Sequence, residues 1–142
     1  IDAQLLIIGA GFESMDGQRL LKECSQNTHY LGTRKNISDY MLNVDVFCLS
    51  SISEGMPITL LEASLAGVPC VSTPVCGSVD LIKEGQNGYL SRDFTVEEYV
   101  KTLILAIEHY SHLKECAMTM RNNSPYTIKE CAKKYMEYFA ES

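Results

Sequence analysis

No apolar run in the sequence approaches the roughly 18 residues that a helix needs to cross a bilayer, which excludes a membrane-spanning helix. Basic residues are scarce: 12 Lys plus Arg against 18 Asp plus Glu give a net charge of -6, which repels nucleic acid and anionic lipid headgroups alike. There is no C-x-x-C pair. The six cysteines, Cys24, Cys48, Cys70, Cys76, Cys116 and Cys131, fall mostly inside apolar or helical patterns, so reduced, packed thiols in a cytoplasmic protein are expected. The three histidines, His29, His109 and His112, form no ligand spacing, and no metal site is expected. No internal repeat, low-complexity tract or obvious linker is visible in these 142 residues.

What is present suits one domain. The 142 residues can bury a sizeable core, and 46% hydrophobic with 21% charged residues is ordinary for a globular chain. Gln4 to Ile8 is a continuous apolar run ending in Gly9-Ala10-Gly11, which predicts a strand buried on both faces and then a tight turn. Leu20, Leu21 and Cys24 recur at helical spacing between Gly17 and Asn27, and His29 to Gly32 predicts a second strand. Asn36 can cap a helix with Ile37, Tyr40, Met41 and Val44 on its apolar face, and Asp45 to Leu49 is the third strand.

After Ser50 to Ser53, Pro57 suits the first turn of a helix that carries Leu60, Leu61, Ala63 and Leu65 until Gly67 stops it. Val68 to Ser72 and Gly88 to Leu90 predict two more strands, with a turn-rich stretch from Ile82 to Gly88. Thr95 and Glu98 have capping-box spacing before a stripe of Val96, Val100, Leu103, Ile104 and Ile107. Two further helices are expected, one with Leu113, Cys116, Ala117 and Met120, the other with Ile128, Cys131, Ala132, Tyr135, Met136 and Phe139 as a core stripe. Strands alternating with helices predict an α/β fold, a doubly wound parallel sheet of Rossmann-like type in one three-layer αβα domain. Ligands of such sheets bind outside the carboxyl ends of the strands. Gly9 to Gly17, Gly32 to Ser38 and Ser50 to Ile58 occupy such ends.

Ser50 to Ile58 has the clearest chemistry. Gly55 removes a side chain that would keep a ligand from the backbone, Pro57 fixes the helix entry, and first-turn N–H groups point outward. A helix N-terminus attracts a phosphate or diphosphate. Glu54 and Glu62 flank that place, and their carboxylates can accept hydrogen bonds from sugar hydroxyls. The residues alone leave a second reading open, with Glu54 a partner of the helix dipole and Glu62 a solvated helix residue. Gly9-Ala10-Gly11 has the start of a dinucleotide fingerprint, but Ser14 stands at the third glycine position, which favours a plain turn.

Glu54-Gly55-Met56-Pro57-Ile58-Thr59-Leu60-Leu61-Glu62-Ala63, continuing to Gly67-Val68-Pro69, is similar to the Glu-x7-Glu signature of family 4 retaining glycosyltransferases of the GT-B fold. Leu6 to Gly11, Tyr30 to Gly32, Asp45 to Ser51, Gly77 to Ile82 and Asn87 to Leu90 resemble the surrounding segments in the same order. The resemblance implies the donor-binding C-terminal half of such an enzyme. It implies Glu54 as the catalytic residue beside the transferred sugar, and the backbone of Gly55, Met56, Pro57 and Ile58 near the diphosphate. On the same resemblance Glu62 would take the ribose hydroxyls, the stretch Thr33, Arg34 and Lys35 would lie along the base, and Gly9 and Gly11 would belong to the donor site. The resemblance also implies a nucleotide-diphosphate sugar as partner, with no cofactor and no metal expected.

The family's domain normally opens with one more strand and a glycine-rich loop bearing an Arg and a Lys, and Ile1 to Gln4 has nothing corresponding. The expectation is therefore a fragment, residues 1–142 of a longer protein, whose N-terminal acceptor domain and first C-terminal strand lie outside it. Such a piece alone should be inactive. Any membrane contact, peripheral to the inner face, would run through that other domain. Asp80 stands where the family often has Glu. The alternatives within reach are a sugar-nucleotide epimerase of the same fold and a non-catalytic nucleotide-sugar-binding domain.

Overall fold

Short apolar runs separated by stretches of helical period fold into five strands and seven helices in this computed structural model, which describes residues 3–140. All strand pairings are parallel, as the α/β reading expects. The chain forms two compact units, Ile1–Ile37 and Ser38–Ser142.

In the first unit β1 (Leu5–Ile8) pairs with β2 (Thr28–Gly32), and the register shifts between Ile7 and Ile8. The helix between them, α1 (Met15–Glu23), starts two residues before Gly17 because the Ser14 hydroxyl accepts the Gly17 amide at 3.1 Å. Gly17 is buried so closely that a Cβ there would lie 2.5 Å from the Phe12 Cα. β1 is not buried on both faces: Leu5 is 49% and Leu6 39% exposed. A two-stranded ribbon with a single helix has too little structure to cover both sides.

The short helix α2 (Ile37–Met41) stops before Val44. Asn43 ends it, its amide returning to Tyr40 O and its side chain donating to Asp39 O at 2.7 Å. The second unit then holds β3 (Phe47–Leu49), α3 (Ile58–Ala66), β4 (Cys70–Ser72), α4 (Ser78–Leu81), β5 (Gly88–Leu90), α5 (Val96–Glu108), α6 (Tyr110–Asn122) and α7 (Ile128–Ala140). Its sheet runs β3-β4-β5, so β4 is central and entirely buried. Val71 of β4 packs with Ala106 of α5 and Leu113 of α6, and Leu60 and Ala63 bring α3 into the interior. Gly67 stops α3 in the left-handed conformation, its amide returning to the last-turn carbonyls. Pro57 lies one residue outside the helix, as N-cap, and α4 is a single turn that periodicity could not reveal.

Three packing expectations are corrected. On α5, Val96, Val100 and Ile104 face outward, and Tyr99, Thr102, Leu103 and Ala106 face the sheet. Small Ala106 and Thr102 permit the close approach, and the Tyr99 hydroxyl donates to Val71 O at 3.1 Å. The Thr95 hydroxyl caps this helix on the Glu98 amide, but Asp93 rather than Glu98 takes the Thr95 amide, so only half the capping box forms. On α7 the supposed core stripe is open, with Ile128 90% and Met136 74% exposed and Cys131 and Ala132 exposed too. These residues meet no core surface among the described residues, and the side chains of Tyr135 and Phe139 lie outside them. Of the cysteines only Cys70 is fully packed, whereas Cys24, Cys48, Cys76 and Cys131 are exposed, at a helix end, in the first strand of the sheet, in a loop and on α7.

Two measurements follow from the buried strand. A Cβ on Gly88, which pairs with Cys70, would meet Cys70 O at 1.9 Å. Gly88→Ala should therefore lower unfolding stability by about 3 kcal/mol in urea titrations. Burial, with Cys48 adding to it, pushes the Cys70 thiol from 9.0 up to about 12. The unfolded chain gives up this proton first, so the stability is intact below pH 9.0 and is lost as pH rises towards about 12. The urea midpoint should fall across that interval, and fall less steeply in Cys70→Ala.

Candidate active site at the strand ends

In the second unit, the sequence between β3 and α3 makes an exposed corner at the carboxyl end of the sheet. Pro57 supplies no amide and no side-chain cap, and the Leu60 and Leu61 amides both return to Pro57 O, at 3.1 and 3.2 Å. The Ile58 and Thr59 amides have no hydrogen-bond acceptor among the described residues. The first turn holds no acidic residue, so the positive end of the helix is not neutralised by its own side chains. Glu54 sits just before this turn, half-buried, and its Oε1 accepts the Ser51 hydroxyl at 2.9 Å. Gly55 and Met56 are exposed.

Glu62 is exposed one helical repeat beyond Ile58, on the same open face of α3. Glu54, Gly55, Met56, Pro57, Ile58 and Glu62 thus occupy one corner. Beside it lies the turn between β4 and α4. Gly77 has φ +76°, and a Cβ there would meet Gly55 O at 2.6 Å and the Pro57 ring at 2.8 Å. Glycine is required both for the backbone conformation and for the space. Thr73 was missed by reading the sequence, and Gly77 stood out only as the start of a segment resembling the family, although both follow a strand end just as the three chosen segments do.

In the first unit, Gly9 and Gly11 follow β1, and Thr33 and Arg34 follow β2, at the same end of the parallel pair. The Gly9 amide donates to Gly32 O at 3.1 Å, which ties the two loops. The Gly11 amide is taken by the Glu13 carboxylate at 2.8 Å, and the Tyr30 hydroxyl bonds the same carboxylate, with Gly9 O 2.9 Å from it. The Tyr30 hydroxyl first, and then the Gly11 amide, hold the Glu13 carboxyl below its ordinary range; the carboxylate in turn pushes the Tyr30 phenol up. Arg34 is exposed, and its guanidinium donates to Thr33 O at 3.3 Å.

Among the described residues no three His, Cys, Asp or Glu side chains gather to hold a metal. A groove of about 310 Å³ lies along α6, lined by Gln86, His112, Glu115, Cys116, Thr119 and Met120. It shares no residue with the β3–α3 corner, and it carries no helix terminus or convergent charge that would recognise a diphosphate.

The sequence matches the family described as Glycosyl transferases group 1 over residues 1–124. The chain belongs to this family. O-antigen biosynthesis glycosyltransferase WbnH of Escherichia coli is 33% identical over 131 residues, which are 92% of this chain and 37% of that protein. N-acetyl-alpha-D-glucosaminyl L-malate synthase of Bacillus anthracis is 35% identical over 92 residues, 63% of this chain and 24% of its own length. The chain therefore spans about a quarter to two fifths of these relatives. Among solved structures, Anabaena Alr3699/HepE in complex with UDP and glucose superposes with a TM-score of 0.78 at 19% identity, over 98% of this chain and 41% of that one. That likeness is one of fold, and it agrees with a Rossmann-like half of a GT-B glycosyltransferase.

The Tyr30 contact gives a direct check on the first unit. Tyr30→Phe removes the strongest hydrogen bond to Glu13, so the Glu13 carboxyl should titrate at higher pH than in the unaltered chain, as read from its side-chain carbon shift.

Proposed function

We propose that the protein to which this chain belongs transfers a sugar from a nucleotide-diphosphate sugar to an acceptor with retention of configuration, as a family 4 enzyme, and that residues 1–142 supply the donor site. The observation that carries this reading is the β3–α3 corner: a fixed carboxylate, Glu54, next to a helix start whose Ile58 and Thr59 amides have no acceptor among the described residues. Amides at a helix N-terminus stabilise the negative charge that grows on a departing diphosphate. A carboxylate is repelled by that diphosphate and suits the hydroxyls of the sugar attached to it.

In this reading Glu54 contacts the sugar, and the backbone of Gly55, Met56, Pro57 and Ile58 lies along the diphosphate. Glu62, on the same open face of α3, takes the ribose hydroxyls. Within the first unit, Thr33 and Arg34 are assigned to the base, and Gly9 and Gly11 to the donor. A diphosphate reaching Gly11 must compete with Glu13 for its amide. The acceptor site and the Arg and Lys that hold the diphosphate belong to parts of the protein outside this chain, so the chain alone should not transfer sugar. No metal or cofactor takes part.

Membership of the family and the names of the relatives favour a transferase over an epimerase. The relation to an O-antigen enzyme supports a growing polysaccharide or lipid-linked glycan as acceptor. The protein works in the cytoplasm, and membrane contact, where it occurs, is peripheral and made by the acceptor domain.

Calorimetric titration of the full-length protein with UDP tests the ribose role. Glu62→Ala should weaken binding about tenfold, the effect of losing charge-assisted hydrogen bonds. An unchanged affinity would remove Glu62 from the site.

A further inference from the structure

Glu54 lies in a loop, yet the loop is fastened from the neighbouring strand. Thr73, the residue after β4, donates its amide to Leu49 O at 3.0 Å and its hydroxyl to Ser51 O at 2.5 Å. The first bond extends the β3–β4 ladder by one step; the second grips the loop two residues beyond the end of β3. Ser51 then passes the constraint on, its hydroxyl donating to Glu54 Oε1 at 2.9 Å. Thr73 is itself held: the hydroxyls of Ser72 and Ser78, both buried, lie 2.8 and 2.9 Å from Thr73 O.

We infer that Ser51 and Thr73 are positioning residues that set the orientation of the Glu54 carboxylate towards the donor sugar. This rests on the reading of Glu54 given above. A glutamate on an eight-residue connection would otherwise sample many rotamers, and its carboxylate would reach the sugar only in some of them. Ser51 occupies Oε1, which leaves Oε2 as the oxygen turned to the ligand. The brace acts within the corner and touches neither the helix amides nor Glu62, so it should govern turnover more than donor affinity. Loss of one such positioning bond is expected to slow turnover about tenfold.

The test is steady-state kinetics of the full-length enzyme with its nucleotide sugar. Ser51→Ala and Thr73→Val should each lower kcat about tenfold and leave the donor KM within about twofold, and Ser51→Thr and Thr73→Ser should restore most of the loss. Thr73→Val keeps the shape and the backbone bond to Leu49 O and deletes only the hydroxyl. The decisive arm is the double variant: in a Glu54→Gln background, Ser51→Ala should cost almost nothing further, because the serine acts through Glu54. Should Ser51→Ala and Thr73→Val keep full kcat while Glu54→Gln loses it, or should the losses multiply in the double variant, the brace is wrong and the role of Glu54 stands. Should Glu54→Gln itself keep full kcat, the reading of Glu54 falls and the brace with it.

Discussion

The burial of β4 is the constraint on which the second unit depends. Cys70, Val71 and Ser72 have no exposed face, and β3, β5, α3 and α5 all pack against them. Because the strand is central, its pairings fix where β3 ends and where β5 begins. Because Thr73 continues it, the same strand reaches out of the sheet and fastens the loop that carries Glu54. A core that is rigid at this point gives a polar corner with set geometry, which a loop on its own could not hold.

The corner combines two kinds of polar group with opposite requirements. The first-turn amides of α3 want an anion, and the Glu54 carboxylate repels one. They coexist next to each other because the carboxylate is tied by Ser51 to the loop side of the corner and does not neutralise the helix end itself. A ligand with a charged half and a hydroxylated half satisfies both. The first unit offers a similar pair of strand-end loops, but there the chain already supplies an anion, since Glu13 takes the Gly11 amide.

Much of this was legible in the sequence. Element order, apart from the single-turn α4, and the parallel strand pairing followed from short apolar runs alternating with helical periods, and Gly67 and Thr95 marked a helix end and a helix start where the structure has them. The motif from Glu54 to Glu62 located the corner. What the sequence concealed were properties of packing. Apolar spacing put Val96, Val100 and Ile104 of α5 inside, whereas Ala106 and Thr102 face the sheet because small residues allow closer approach. The run Leu5-Leu6 implied full burial that a two-stranded ribbon does not provide, and α7 showed a stripe with nothing described to cover it. Thr73, Ser51 and Gly77 carry no periodic signal. Their roles arise from the juxtaposition of two strand ends, which only the fold makes.

The central claim is that a nucleoside diphosphate binds at the start of α3. It is tested most directly by titrating UDP into the protein and following the backbone amides in proton–nitrogen correlation spectra. The amide signals of Ile58 and Thr59 should move most, saturably, and those of His112 and Cys116 on the α6 groove should stay in place. Saturable binding that leaves Ile58 and Thr59 unmoved would contradict the account.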